Sequence, residues 1–454
     1  MLLRLLVILH LLPLGGLLAG CACPSGSCGV PGTPCAPCFY ESTVGDDTPP
    51  DVLVEQHDEL VPLPAPTETY QLLDAATCQC NAATNASVAN MVELERHWAR
   101  IVIECDSKNV RANLCLDRDL LSLHAYDLRN TAAASALKAY YRLAALEAQK
   151  HYLYLGREES RRTLSRIDRI VAEGLRLPDE IERSAVAKKL SQLEDQALQL
   201  DFLRIQLNGQ LQTLVGCPLD ETSFYWPQVD WEPDLTSLDI EFEVATGLAN
   251  RTDLRGLSLV LCKFRKATLP VARGVLRFAD STVGTVEPQD GWIHVARCFR
   301  CNELEVPVRC RQLALFYSHS KEGATAEIKS AAYKIGLLQQ RILIAHQVVR
   351  QFEDRLSDLT KTRDVKESSI FEISQIRGQL YEAQADLIGQ AASLKVARVE
   401  LKEAQDLLAV ECGFCPNLCC EGCCDGDCVQ NACGQCSCST CQQKKHSCRS
   451  STAD

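Results

Sequence analysis

The chain has 454 residues, 46% of them hydrophobic and 23% charged, which suits a large core or extended helices and excludes a disordered or collagenous chain. Its net charge of -12, with no dominating Lys/Arg patch, argues against binding nucleic-acid phosphates. There is no Walker loop, nucleophile elbow or HExxH, and the 9 histidines are scattered, so no catalytic residues are expected and the chain does not read as an enzyme.

The N-terminus, "MLLRLLVILHLLPLGGLLAGC", places Arg4 before an apolar run of signal-peptide length and small residues, which predicts an export signal over residues 1–20. Its end, "LLAGC", resembles the lipobox of bacterial lipoproteins. That resemblance implies cleavage before Cys21 and a diacylglyceryl group on its thiol, an anchor that holds a protein on a membrane without threading it through. The alternative is an ordinary secretory signal whose Cys21 joins a disulfide. No later apolar run reaches about 18 residues, so no spanning helix is expected in the mature chain.

Export also fits the 26 cysteines, five of them in Cys21–Cys38 and twelve in Cys412–Cys448. Residues 21–69 form a Cys- and Pro-rich acidic linker, "GDDTPPDVLVEQHDELVPLPAPTE" among them, which spaces the anchor from the body. A first repeat follows over 70–216. It has a helix through "NMVELERHWARIVIE", a short break around "CDSKNVRANLC", a long helix from about His124 to Glu173, and a return helix to about Val215. Residues 217–321 connect, with Trp- and Pro-rich loops and patches such as "GVLRFADSTVGTV" that read as strand or helix. A second helical hairpin covers 322–411, with helices near 323–365 and 369–410, and a Cys-rich tail fills 412–454.

An internal repeat supports this division. "ALKAYYRLAALEAQ" at Ala136–Gln149 aligns with "IKSAAYKIGLLQQR" at Ile328–Arg341, with Ala139/Ala331, Tyr141/Tyr333 and Leu146/Leu338 identical. Carrying that offset forward pairs "GLRLPDEI" from Gly174 with "KESSIFEI" from Lys366, so each half has a turn at a comparable place. Gly174 suits a left-handed helix end, and Pro178 suits the next first turn, with Asp179 and Glu180 near its positive end. In the second turn Ser368 or Ser369 is a cap, and Glu372 follows Ser369 by three residues as in a capping box.

Apolar residues run in steps of three and four, at Ile335, Leu338, Ile342, Ala345, Val349, Phe352, Leu356 and Leu359, and again at Leu193, Ala197, Leu200, Leu203, Leu207, Leu211 and Leu214. The predicted fold is mainly α: two tandem repeats of long antiparallel coiled-coil hairpins with few or no β-strands.

Two such halves behind a lipobox resemble the TolC family of outer-membrane efflux proteins. The join "ATGLANRTDLRGL", Ala245–Leu257, is similar to that family's "AL-NRPDLR" segment, with Thr252 where Pro is usual. "GQLYEAQADLI", Gly378–Ile388, reads like the helix after the family's second tip, and the resemblance covers about residues 70–410. It implies a passive duct with no cofactor: a homotrimer, lipid-anchored at the outer membrane with its body in the periplasm, whose tips meet a membrane-fusion adaptor and an inner-membrane pump. On that mapping the docking residues are Gly174, Leu175, Arg176, Pro178, Glu180, Ile181, Lys366, Ser368, Ser369, Glu372 and Ile373, with Glu372 an acidic residue at the entrance. The family also places a β-hairpin in each half, and spanning strands need about nine to eleven alternating residues. Here "CDSKNVRANLCLDRDL" is too short for two, and "RGVLRFA" with "WIHVA" supplies at most one weak hairpin, so the barrel is expected to be reduced or missing. A Cys105–Cys115 disulfide would staple the shortened loop.

The tail has two readings. CxxC units at Cys412/Cys415, Cys420/Cys423, Cys433/Cys436 and Cys438/Cys441 suit soft-metal thiolates, and in an oxidising compartment they equally suit a disulfide-rich knob. The functions to be weighed against a duct are therefore a structural coiled-coil spacer in the periplasm and an envelope protein that binds soft metal through the tail.

Overall fold

A computed structural model describes residues 69–105, 108–175, 182–217, 223–286, 295–361, 369–416 and 418. In chain order the elements are β1 (Thr69–Leu73), α1 (Ala75–Thr84), α2 (Ser87–Cys105), α3 (Lys108–Ala172), α4 (Arg183–Val215) and β2 (Ser223–Pro227). Then come α5 (Ile240–Asn250), α6 (Thr252–Cys262), a 3₁₀ turn at Lys266–Thr268, α7 (Leu269–Ala279), α8 (Val295–Lys361), α9 (Ser369–Ala404) and α10 (Leu408–Glu411).

The fold is mainly α, and two long hairpins, α3/α4 and α8/α9, dominate it. α4 packs on α3, α3 on α9 and α9 on α8, so the four helices form one layer with α4 and α8 outermost. Among the described residues the only strands are β1 and β2, which pair in parallel with Thr69 opposite Ser223 and Leu73 opposite Pro227.

The two outgoing helices are longer than the sequence suggests. α3 begins at Lys108, so residues 108–115 of the expected break are helix. Lys108–Leu123 holds no Gly or Pro, and Leu116, Leu120 and Leu123 recur at helical spacing, a period that outweighs the polar start. α8 likewise begins at Val295, and at 67 residues it is about 100 Å long.

The connecting segment is also mostly helical. "RGVLRFA" lies in α7, where Pro270 opens the helix and Val271, Ala272 and Leu276 pack with Leu116, Val260 and Leu313. Burial at i, i+1 and i+5 on one helical face overrides the β-propensity of Val and Phe. The weak hairpin expected there is absent from the described residues, and 287–294 of "WIHVA" and its approach lie outside them.

Packing explains the repeat. Leu143 and Ile335 are fully buried counterparts, and Leu146 and Leu338 are buried too. Between α8 and α9 the core is the apolar stripe read from sequence, Ile335, Leu338, Ile342 and Val349 against Leu380, Leu387, Leu394 and Leu401, with Ala345, Phe352 and Leu356 at its margin. The repeat slips at the turns: α9 starts at Ser369, ahead of residue 375, the counterpart of Arg183. The second turn is therefore the shorter one.

The stripe on α4 holds at Leu193, Ala197 and Leu211 but fails in the middle, where Leu203 is 45% exposed and Arg204 only 3%. Arg204 pairs with Glu147 of α3 at 2.8 Å and donates to the Tyr70 hydroxyl at 2.8 Å, and its guanidinium lies 4.0 Å from the Phe224 ring centre. Asn208 accepts from the Tyr225 amide at 2.7 Å. These polar contacts fasten the small sheet to the first hairpin. Tyr70, Phe224 and Tyr225 lie far from Arg204 or Asn208 in sequence or across a loop, so a period count cannot find them.

Candidate functional site

Three features of this layer bear on function: its tips, its edges and the joint between its halves.

At the first tip α3 ends in a Schellman arrangement. Gly174 has φ +71°, its amide donates to Val171 O at 3.1 Å, and the Leu175 amide donates to Ile170 O at 3.1 Å. Val171 and Leu175 stand exposed around that turn. Arg176, Pro178, Glu180 and Ile181 of the same tip, and Lys366 and Ser368 of the other, lie outside the described residues, as does the Ser369 side chain. Glu372 sits in the first turn of α9 and pairs with Arg355 of α8 at 3.1 Å, both partly exposed, so its charge is offset within the chain. Ile373, expected on the docking surface, is instead 7% exposed and faces the packed interior. The helix that carries it begins early and turns that position inward.

The edges are apolar on the side that no described residue covers. On α8 the exposed residues Leu304, Val308, Leu315, Tyr333, Leu337, Ile344 and Val348, all the large exposed apolar ones but Leu343, fall within roughly 80° of one another at about 100° per residue, facing away from the stripe buried against α9. On α4, Leu198, Phe202 and Ile205 form a similar stripe away from α3. Side chains of this size left bare along both edges of a layer mark interaction surfaces.

At the joint, α9 ends with Asp406 in the left-handed region at φ +56°. Its buried carboxylate accepts from the Thr252 amide and hydroxyl, both at 2.7 Å, and from Asn130 Nδ2 at 3.1 Å. Asn130 Oδ1 in turn accepts from the Leu408 amide at 2.9 Å, and the Tyr126 hydroxyl donates to Asp406 O at 2.7 Å. Thr252 at the start of α6 thus supplies two donors that proline lacks, which accounts for the departure at this position. Neighbouring Arg251 bonds Asp253 and Glu327 at 2.8 Å and Ala404 O at 3.1 Å. Burial, with the charge of Asp127 behind it, pushes the Asp406 carboxyl up to about 7 against the pull of its Thr252 bonds.

Among the described residues Cys80, Cys217, Cys412 and Cys415 are in disulfides, whereas Cys78 and Cys310 carry free thiols. Cys412 is bonded to Cys80 of α1 with Cα atoms 5.1 Å apart. Cys412 and Cys415 are therefore not thiolates, which corrects their place among the metal candidates. Cys420, Cys423, Cys433 and Cys436 lie outside the described residues, as do Cys21 and the side chain of Cys105 in the expected Cys105–Cys115 pair.

No family model and no curated protein matches the sequence. The fold does have solved counterparts. The chain superposes on the transmembrane channel CusC with a TM-score of 0.57 at 11% identity, covering 73% of this chain and 91% of that one. For the outer-membrane channel OprN the values are 0.51 and 12%, over 80% and 98%. The chain thus has the fold of TolC-type outer-membrane channels, with helices over the described residues of the segments where at most one weak hairpin was expected.

Proposed function

We propose that this protein is the outer-membrane exit duct of a tripartite efflux or export system, a passive homotrimer anchored by a diacylglyceryl group on Cys21 with its body in the periplasm. The observation that carries the reading is the layer α4–α3–α9–α8 with an apolar stripe on each outer helix that no other described residue covers. One copy cannot bring its own edges together without folding the layer shut. A ring of copies covers every stripe once, α4 of each against α8 of the next, in a heterologous contact that closes by rotation. The alternating direction of the hairpins makes that contact antiparallel, like those inside the chain.

In this reading the tips, with Val171 and Leu175 exposed around Gly174, receive the membrane-fusion adaptor and face the inner-membrane pump. The energy for export comes from the pump, and the substrate is chosen there.

Native mass spectrometry of the full chain in detergent tests the ring. Three copies are expected, and Phe202→Glu in the α4 stripe should shift the protein toward single copies that keep their helical content. A monomeric wild-type protein would count against the duct and favour a coiled-coil spacer. Anchoring is tested separately: Cys21→Ser should remove the lipid mass and move the protein out of the detergent phase.

A further inference from the structure

The edge stripe of α8 does not stop where α4 stops. After a polar interval, Leu304, Val308 and Leu315 take up the same face as Tyr333, Leu337, Ile344 and Val348 at the end of the molecule opposite the tips, past the reach of α4. At that end α3 is flanked by other helices. Leu116, Leu120 and Leu123 face α6 and α7, whereas Arg129, on the other side of α3, bonds Asn90 of α2 at 2.8 Å. Among the described residues α2 packs chiefly on α3. It therefore occupies, beyond the end of α4, the same flank of α3 that α4 occupies nearer the tips.

α2 has two apolar faces. Ala89, Ala99 and Ile103 are buried toward the chain, while Val88, Met91, Leu94, Trp98 and Ile101 point away and are exposed. The exposed five recur in steps of three and four over about 20 Å, close to the span of Leu304–Leu315. Beside these stripes stand opposite charges, Glu95 on α2 and Arg311 on α8, both exposed and neither in an ion pair among the described residues.

We infer that the end opposite the tips is closed by helices from neighbouring copies: α2 of each copy packs its outer face on Leu304–Leu315 of the next, with Glu95 facing Arg311. The occupant is a second copy of this chain because Leu304–Leu315 lies on the same face of α8 as Tyr333–Val348, separated from it by a polar stretch with His319, Glu322 and Lys329, and because α2 continues α4 on the opposite edge with a charge that complements Arg311. The result is a helical collar at the end where the barrel was expected to be reduced or missing. The inference rests on the ring of the proposed function but reaches a part of the molecule that the α4 contact does not touch.

Photo-crosslinking of the full chain in lipid vesicles tests it. A benzoylphenylalanine replaces Trp98 in one variant and Phe202 in another, with light- and heavy-isotope copies mixed so that links between chains are distinguished by mass. Both sites are exposed, so neither variant depends on repacking a core. The expected result is interchain links from position 98 to peptides covering 304–315 and from position 202 to peptides covering 333–348. Links from 202 alone would leave the ring standing and overturn the collar, as would links from 98 to lipid. Loss of interchain links at both sites would overturn the ring and the collar together.

Discussion

Tyr141 and Tyr333 are the same residue at the same place in the internal repeat, yet they have different surroundings. Tyr141 is half-buried, edge-on to the Tyr140 ring at 5.2 Å and packed against the cluster of Ala83, Ala133, Ala134, Leu137, Val399 and Leu408. Tyr333 is 60% exposed. α3, which carries Tyr141, lies inside the four-helix layer with α1 over it, whereas α8, which carries Tyr333, is an edge. A repeat specifies helices and their inward stripes, but what covers the second face depends on the order in which the helices are laid side by side. That order is a property of the whole chain.

The strongest way to break this distinction is at the polar core of the first hairpin, which has no counterpart in the apolar core of the second. Arg204→Ala leaves Glu147 buried without its cation and should lower stability by about 3–5 kcal/mol. Leu203→Ala, one residue away on the exposed side, should cost less than about 1 kcal/mol. Denaturant titration of the detergent-solubilised protein compares the two, and equal losses would mean that α4 is rotated from the register described. The second step compares the tyrosines themselves. Tyr141→Glu buries a charge and should cost about 2–4 kcal/mol, whereas Tyr333→Glu should leave the isolated chain within about 0.5 kcal/mol and act on assembly alone. A loss of folding stability from Tyr333→Glu in a monomeric background would show that the face is covered within one copy.

The same contrast separates what was legible in the sequence. The hairpins, the repeat, the inward stripe from Ile335 to Leu356 and the glycine turn at 174 follow from local period and turn chemistry, which act over a few residues. The Arg204 site was not legible, because its partners come from β1, β2 and α3 and because leucines on both sides of the arginine fit a stripe equally well. The helical end was missed for a related reason. Leu116 and Leu313 are buried by each other's neighbours in α6 and α7, so each segment alone looks too short or too polar to be the start of a 60-residue helix. Thr252 was visible as a departure, but its meaning required Asp406, which sits 154 residues later in the chain.

That joint gives the next test in order of size. Thr252→Pro removes the amide and the hydroxyl that Asp406 accepts and should cost about 1–3 kcal/mol. It should also alter the pH dependence. A carboxyl raised to about 7 in the folded state holds its proton better there than in the unfolded chain, where its value is near 4. Its contribution is therefore fully present below about pH 4 and is lost as the pH rises toward 7. Asp406→Asn should flatten that part of the stability profile, and an unchanged slope would mean that the carboxylate is ionised throughout.

The smallest effect concerns the tips. An added Cβ at Gly174 meets no atom within 4 Å, so Gly174→Ala has no steric cost beyond the backbone itself. At φ +71° an alanine should still lose about 1 kcal/mol, because the left-handed region crowds Cβ against the following carbonyl. Gly174→Asn should recover part of the loss, since asparagine tolerates that region. The change is confined to the α3–α4 turn, so the melting temperature should drop slightly for alanine and less for asparagine while the copy number stays constant. If alanine is neutral, the first turn does not need the left-handed residue, and the Schellman bond from Leu175 to Ile170 is not what places Val171 and Leu175 on the surface.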